Sequence, residues 1–176
     1  MKLRNKIKTA AIALTLAIVF FMQLPAFAQT TTKVGKITDG DTVVLTDGQR
    51  IRLACVDAPE KKQLWGKAAT EKLRSLLPIG SSVSVNPVDV DKYGRTVAVL
   101  FSGETNVNLE MVRDGYALVY RKYLGNCPGG GDDFLAAEDL AKQQGLKFWS
   151  QTTPCEPWNY RRGKCSDKVP NNPNKS

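Results

Sequence analysis

From Thr32 onward, apolar residues come in short bursts broken by sharp turn signals, the pattern of a small β-rich domain. Lys33 to Thr38 reads as a strand, and Asp39-Gly40-Asp41 as a tight turn after it. Thr42 to Leu45 is a second strand, and Thr46-Asp47-Gly48-Gln49 carries the Asp-Gly signal of a hairpin. A third strand spans Ile51 to Val56 and is stopped by Pro59. The period then changes: Ala68, Ala69, Leu73, Leu76 and Leu77 fall at helical spacing within residues 65–77, and Pro78 and Gly80 end that helix. Val83 to Val85 and Thr96 to Phe101 are the fourth and fifth strands, with a loop over Asp89 to Gly94. Asn108 to Asp114 makes a short helix closed by Gly115. Phe134 to Gln144 makes another, stopped by Gly145. Three strands, a helix and two strands is the succession of an OB-fold, a five-stranded Greek-key barrel. The fold class expected is therefore α+β, a barrel with three helices.

The two ends of the chain read differently. Lys2, Arg4, Lys6 and Lys8 precede an apolar run from Ala10 to Phe21, and Ala26-Phe27-Ala28 has the small-x-small form of a cleavage site. That is a signal peptide over residues 1–28. The run is too short for a bilayer-spanning helix, which needs about 20 residues. The chain is expected to be exported, to the periplasm or the medium, and to keep no membrane contact after cleavage. The barrel domain is expected over 29–152. Residues 153–176 form a Pro-, Asn- and Gly-rich extension, tethered by a disulfide and then disordered from Asn171.

Composition narrows the chemistry. The 176 residues include no histidine, which excludes Ser-His-Asp triads, His-activated thiols and His-metal nucleases. Removing the leader takes away four of the 25 basic residues and none of the 17 acidic ones, leaving a net charge of +4 on 148 residues. That charge suits a polyanionic partner but is also an ordinary surface value. Gly129-Gly130-Gly131 is followed by two aspartates that would repel a phosphate, so it reads as a flexible loop.

Two segments stand out: Asp39 to Thr42 with Arg52 to Glu60, and Asp91-Lys92-Tyr93-Gly94-Arg95. Asp41 and Asp57 lie at strand ends in adjacent hairpin segments. Two carboxylates brought together repel unless a cation lies between them, and oxygen ligands select Ca²⁺ or Mg²⁺. Arg52 near the same rim and Arg95 on the opposite loop would clamp a pentavalent phosphate, while Glu60 is placed to activate a water. Each segment alone is equally an ordinary polar turn. Their joint occurrence in this order and register is what favours chemistry.

With those motifs, and with Asn108-Leu109-Glu110-Met111-Val112-Arg113-Asp114-Gly115, the chain from Val34 to Trp149 resembles the staphylococcal (micrococcal) nuclease, or thermonuclease, family. The resemblance implies a Ca²⁺-dependent hydrolase of DNA and RNA that breaks the 5′ P–O bond and leaves 3′-phosphates. It implies Asp41 and Asp57 as carboxylate ligands of Ca²⁺, with the Ala58 backbone carbonyl as a third. Ala58 stands where the family has Thr, a change that a main-chain ligand tolerates. Glu60 corresponds to the residue that activates or orients water, and Arg52 and Arg95 to the two phosphate-binding arginines. Lys92 and Tyr93 lie beside the nucleotide phosphate, and Tyr123 stacks on a base. Arg121 replaces a second aromatic of that pocket. The family also suggests a monomer with no stable protein partner.

Related domains that keep the barrel but lose the catalytic groups act as nucleic-acid-binding modules, which supplies the rival reading; a Ca²⁺-stabilised envelope protein is a third. All of Asp41, Arg52, Asp57, Glu60 and Arg95 are present here, which favours the enzyme. Trp65 and Trp149 flank helices and are expected to be core or staple residues. The basic-aromatic run Trp158 to Arg162 either widens the nucleic-acid footprint or packs on the last helix. Export and an even count of four cysteines favour disulfides. Cys155 and Cys165 suit a local bridge, and by the resemblance the loop holding Cys127 passes close to Cys55. A buried free Cys55 is the rival arrangement.

Overall fold

The computed structural model describes residues 30–165. The leader, its cleavage site and the tail from residue 166, including the disorder expected from Asn171, lie outside the described residues.

Five strands close into a barrel. They are β1 (Thr30–Asp39), β2 (Thr42–Leu45), β3 (Arg50–Leu53), β5 (Ser82–Val90) and β6 (Thr96–Ser102), with the two-residue β4 (Val56–Asp57) outside it. β1 pairs antiparallel with β2 and with β5, β2 with β3, and β5 with β6. The parallel pairing of β3 with β6, Ile51 opposite Thr96 and Leu53 opposite Ala98, completes the ring. Alternation sends Val34 and Ile37, Val43 and Leu45, Ile51 and Leu53, and Val83 and Val85 into the barrel, where all are buried. Bulges between Val34 and Lys36 and between Ile37 and Asp39 bend β1 around the barrel.

Three helices flank the barrel: α1 (Gly66–Leu76) and α2 (Val107–Arg113) pack on its strands, and α3 (Asp132–Gln143) packs on α2. Ala69, Leu73 and Leu77 are the buried stripe of α1. The Asn106 side chain caps α2 by accepting the Leu109 N–H at 3.1 Å. At the other end Gly115 takes a left-handed φ of 75°, as expected for the residue that closes a helix. Buried Asn108 ties α2 to the barrel: its Oδ1 accepts from the Leu100 N–H, and its Nδ2 donates to the carbonyls of Ala54 and Ala98.

The strand expected over Ile51 to Val56 is broken. β3 stops at Leu53, Cys55 adopts a left-handed φ of 69°, and the chain re-emerges as β4, paired with β8 (Leu118–Val119). Asp89 and Val90, expected in a loop, extend β5 opposite Val97 and Thr96. The short β7 (Thr105–Asn106), β8 and a one-turn helix α4 (Pro157–Tyr160) carried no periodic signal. The triple glycine is an ordered turn with left-handed φ at all three residues, and it delivers the chain into α3 at Asp132, two residues before the expected start. Trp149 packs edge-on against Phe148 beneath the Lys142 ammonium, and Trp65 opens α1 beneath Lys147. Both indole N–H groups are buried without a hydrogen-bond partner.

Candidate active site

The carboxylates are set by the β1–β2 turn and by β4. In the turn, the Asp41 N–H donates to Asp39 Oδ1 at 3.2 Å. A Cβ on Gly40 would lie 2.7 Å from the Ala58 methyl and 2.8 Å from that of Ala69, so only glycine lets the turn sit this close. Asp41 Oδ2 accepts the Ala58 N–H at 2.9 Å, which joins the two acidic segments directly. The left-handed turn at Cys55 then points the chain so that Asp57 is fully buried beside them.

Arg52 bridges the pair. One guanidinium nitrogen lies 3.1 Å from Asp41 Oδ2 and the other 2.8 Å from Asp57 Oδ1. Burial pushes the Asp57 carboxyl above its ordinary range, against the opposing pull of Arg161 and Arg52. Asp39, behind the turn, is pushed up to about 6 by burial first and by the Asp41 charge second. Glu60 follows in the turn before α1, where its N–H donates to Gln63 Oε1 at 2.8 Å and its carbonyl accepts the Gln63 N–H. Its carboxylate accepts from Arg161 at 2.8 Å.

The opposite wall is the β5–β6 turn. Burial works against the Asp91 carboxylate, but the N–H groups of Tyr93 and Arg95 and the Arg95 guanidinium hold it below the usual range. Tyr93 at the tip is 73% exposed and lies beside the Lys92 ammonium and the Arg95 guanidinium. Tyr123, also exposed, lies on the segment after β8 with the Lys122 ammonium over its ring.

All the residues singled out for chemistry line one cavity of about 690 Å³: Asp41, Arg52, Asp57, Ala58, Glu60, Lys92, Tyr93, Arg95 and Tyr123. Their states differ from the expectation in three places. Arg52 is spent on the two carboxylates, Arg95 is paired with Asp91 at 2.6 Å, and Glu60 is paired with Arg161. The mutual repulsion of the acids is relieved by these arginines. Arg121 faces away, bound at 2.6 Å to the buried Glu138. Cys55 is joined to Cys127 and Cys155 to Cys165.

Among the lining residues without a role in the sequence analysis, two touch the acid cluster. Asp39 belonged to a quoted motif but was given no role. Arg161 reaches the site from 104 residues further along the chain than Asp57, and only its place in a basic-aromatic run between two cysteines hinted at it.

The donor set fits a hard cation. The chain has no histidine and all four cysteines are in disulfides, so the site offers only oxygen. Among the described residues no three acidic or thiol side chains converge as a ligand cluster. A cation held by two of these carboxylates would need main-chain carbonyl and water to complete its shell.

A closed barrel of this topology, with a buried acid pair bridged by arginine at its rim, defines an OB-fold protein with a polar anion-handling cleft. Residues 50–151 match the staphylococcal nuclease homologue family. The chain is 37% identical over 164 residues to the micrococcal nuclease of Shigella flexneri, covering 85% of this chain and 91% of that one. It is 36% identical over 157 residues to an uncharacterised endonuclease of Haemophilus influenzae, covering 86% and 85% of the two chains. An uncharacterised endonuclease of Escherichia coli shares 37% identity over 137 residues, 75% of this chain and 85% of that one. The chain belongs to the staphylococcal nuclease family.

Proposed function

We propose that this nucleic-acid hydrolase cleaves the phosphodiesters of DNA and RNA in a Ca²⁺-dependent reaction, breaking the 5′ P–O bond and leaving 3′-phosphates. The observation that carries the reading is the meeting of Asp41, Asp57, Arg52 and Glu60 in one cleft, with Arg95 on the facing wall. Asp41, Asp57 and the Ala58 carbonyl would hold the ion, which when bound supplies positive charge to the phosphate oxygens. Glu60 takes the proton of a water as its oxygen attacks phosphorus. Arg52 and Arg95 donate to the phosphate oxygens, which carry more charge in the pentavalent state than in the diester. The 5′-oxygen then leaves with its electron pair and is protonated from solvent. Lys92 and Tyr93 bind the neighbouring phosphate, and Tyr123 offers a ring to a base.

The test is cleavage of single-stranded DNA and RNA oligonucleotides with Ca²⁺ or with excess chelator, the product ends being identified by mass. Ca²⁺-dependent 3′-phosphate products are expected. Binding without cleavage in Ca²⁺ overturns the enzyme in favour of the binding module. Export is a second proposal, supported by the leader-like residues 1–28 and by two disulfides. Intact mass of protein recovered from outside the cytoplasm checks it, with Gln29 expected at the N-terminus.

A further inference from the structure

Arg161 lies beyond the residues matched by the nuclease family. It follows α4, inside the ten-residue loop closed by Cys155–Cys165. That loop is docked on the barrel. Cys155 and Pro157 are buried, the Cys155 carbonyl accepts from Gln63 Nε2 at 2.9 Å, and Trp158 stacks on Tyr120 with ring centres 5.6 Å apart. The result is a guanidinium with a two-pronged contact on Asp57. Nη2 donates to Asp57 Oδ2 at 2.7 Å, and Nη1 donates to Asp57 Oδ1 at 3.1 Å and to Glu60 Oε1 at 2.8 Å.

Both oxygens of Asp57 are therefore taken, one by Arg161 alone and one by Arg161 together with Arg52. A divalent ion that coordinates Asp57 meets a carboxylate that already accepts three hydrogen bonds, two of them from Arg161. The ion and a guanidinium held on the same buried carboxylate also repel each other across a few ångströms, although the Arg161 side chain itself is 41% exposed to solvent. Because its loop is disulfide-closed and docked, Arg161 competes at the high effective concentration of a tethered group.

We propose that Arg161 is an internal competitor of the metal: it neutralises Asp57 and Glu60 in the ion-free protein and leaves Asp57 when Ca²⁺ binds. The proposal rests on the reading of Asp41 and Asp57 as the Ca²⁺ ligands. Its departure also releases Glu60, so ion binding and the freeing of the water-activating carboxylate become one event. Bound ion thus switches the cleft from an internally paired state to a reactive one.

Calorimetric titration of Ca²⁺ into the full-length protein, without nucleic acid, tests this on wild type, Arg161→Gln, Arg161→Lys, Arg162→Gln and Asp57→Asn. Arg161→Gln is expected to bind Ca²⁺ about tenfold more tightly, to melt lower without the ion, and to gain more in Tm when Ca²⁺ is added. Arg161→Lys keeps the charge but not the two-pronged contact, so its affinity is expected between the two. Arg162→Gln removes an equal charge one residue away and is expected to stay within twofold of wild type. Equal or weaker binding by both Arg161 variants, or an equal gain in Arg162→Gln, overturns the competitor. Wild type and Asp57→Asn binding Ca²⁺ alike overturns instead the metal reading beneath it.

Discussion

Gly66, the first residue of α1, lies directly against the carbonyl of Glu60, so close that a Cβ at position 66 has no space. The contact is with backbone, which cannot rotate away. Together with the reciprocal bonds between Glu60 and Gln63, it makes the turn before α1 a rigid mount for the Glu60 carboxylate.

Gly66→Ala is therefore expected to act on the chemistry from outside the cleft. Forcing a methyl into this contact displaces the Glu60 turn and costs about 1–3 kcal/mol, the usual range for overpacking. Displacement of a water-activating group by about 1 Å is worth on the order of 100-fold in rate. Steady-state kinetics and thermal melts on the same preparation check it. A kcat within twofold of wild type would separate Glu60 placement from the α1 start.

Arg52 and Arg95 are expected to respond differently to the same conservative change. Both arginines are read as transition-state donors, so Arg52→Lys and Arg95→Lys should each lose at least about 100-fold in kcat. Arg52 also bridges the buried Asp41 and Asp57, whereas Arg95 is paired with the more accessible Asp91. Lysine at 52 cannot span both carboxylates at once. Arg52→Lys is thus expected to lower the Tm of the ion-free protein, and Arg95→Lys to leave it within about a degree. Matching Tm losses in the two variants would contradict the bridging role.

The contrast between these arginines marks the limit of the linear reading. β2 and β3 were legible because burial alternates along them, Val43 and Leu45, Ile51 and Leu53, whereas in β1 a bulge is what keeps Val34 and Ile37 on the same face. α1 was legible from Ala69, Leu73 and Leu77. β4 and β8 were not, since two-residue strands have no period, and the left-handed Cys55 that separates β3 from β4 is not a residue type that announces such a turn. Nine of the residues lining the cleft are legible in the sequence, but Arg161 and the pairings are not. Which guanidinium sits on which carboxylate depends on side-chain placement in space, and for Arg161 on Asp57 the two are 104 residues apart in sequence. Asp39 has no legible role because its perturbation comes first from burial, which the string Asp-Gly-Asp does not show, and only second from the charge of Asp41.

Glu138 offers a pH test away from the cleft. It is fully buried in α3 and accepts from the Val119 N–H, from Arg121 and from Lys142. Burial alone would raise its carboxyl, but these three donors outweigh it and hold Glu138 below its usual 4.5. A carboxylate depressed in the folded state stabilises above its unfolded value and loses that contribution as pH falls through the folded one. Glu138→Gln is expected to cost about 3 kcal/mol near neutral pH, the scale of breaking a buried ion pair. Below pH 4.5 its deficit against wild type should shrink. Denaturant midpoints at pH 7 and pH 3.5 measure both; a deficit that grows on acidification would reverse the sign argued here.

The Cys55–Cys127 bridge is expected to matter for stability more than the tail bridge, and for a different reason. It links residues 72 apart and closes the turn that leads into Asp57 against the segment after Tyr123. In the chain-entropy model a loop of that length contributes roughly 4 kcal/mol. Cys155–Cys165 links residues only 10 apart, which the same relation puts at roughly 3 kcal/mol. The entropy released by its removal belongs to an extension that carries α4, not to the barrel. The Cys55→Ser, Cys127→Ser double variant is thus expected to shift the global denaturant midpoint strongly. The Cys155→Ser, Cys165→Ser pair should shift it little while exposing the amides of α4 and its flanks to hydrogen exchange. If the tail pair lowers the global midpoint as much as the first, the extension and the barrel unfold as one cooperative unit, and Arg161 is held by the fold as a whole and not by its local loop.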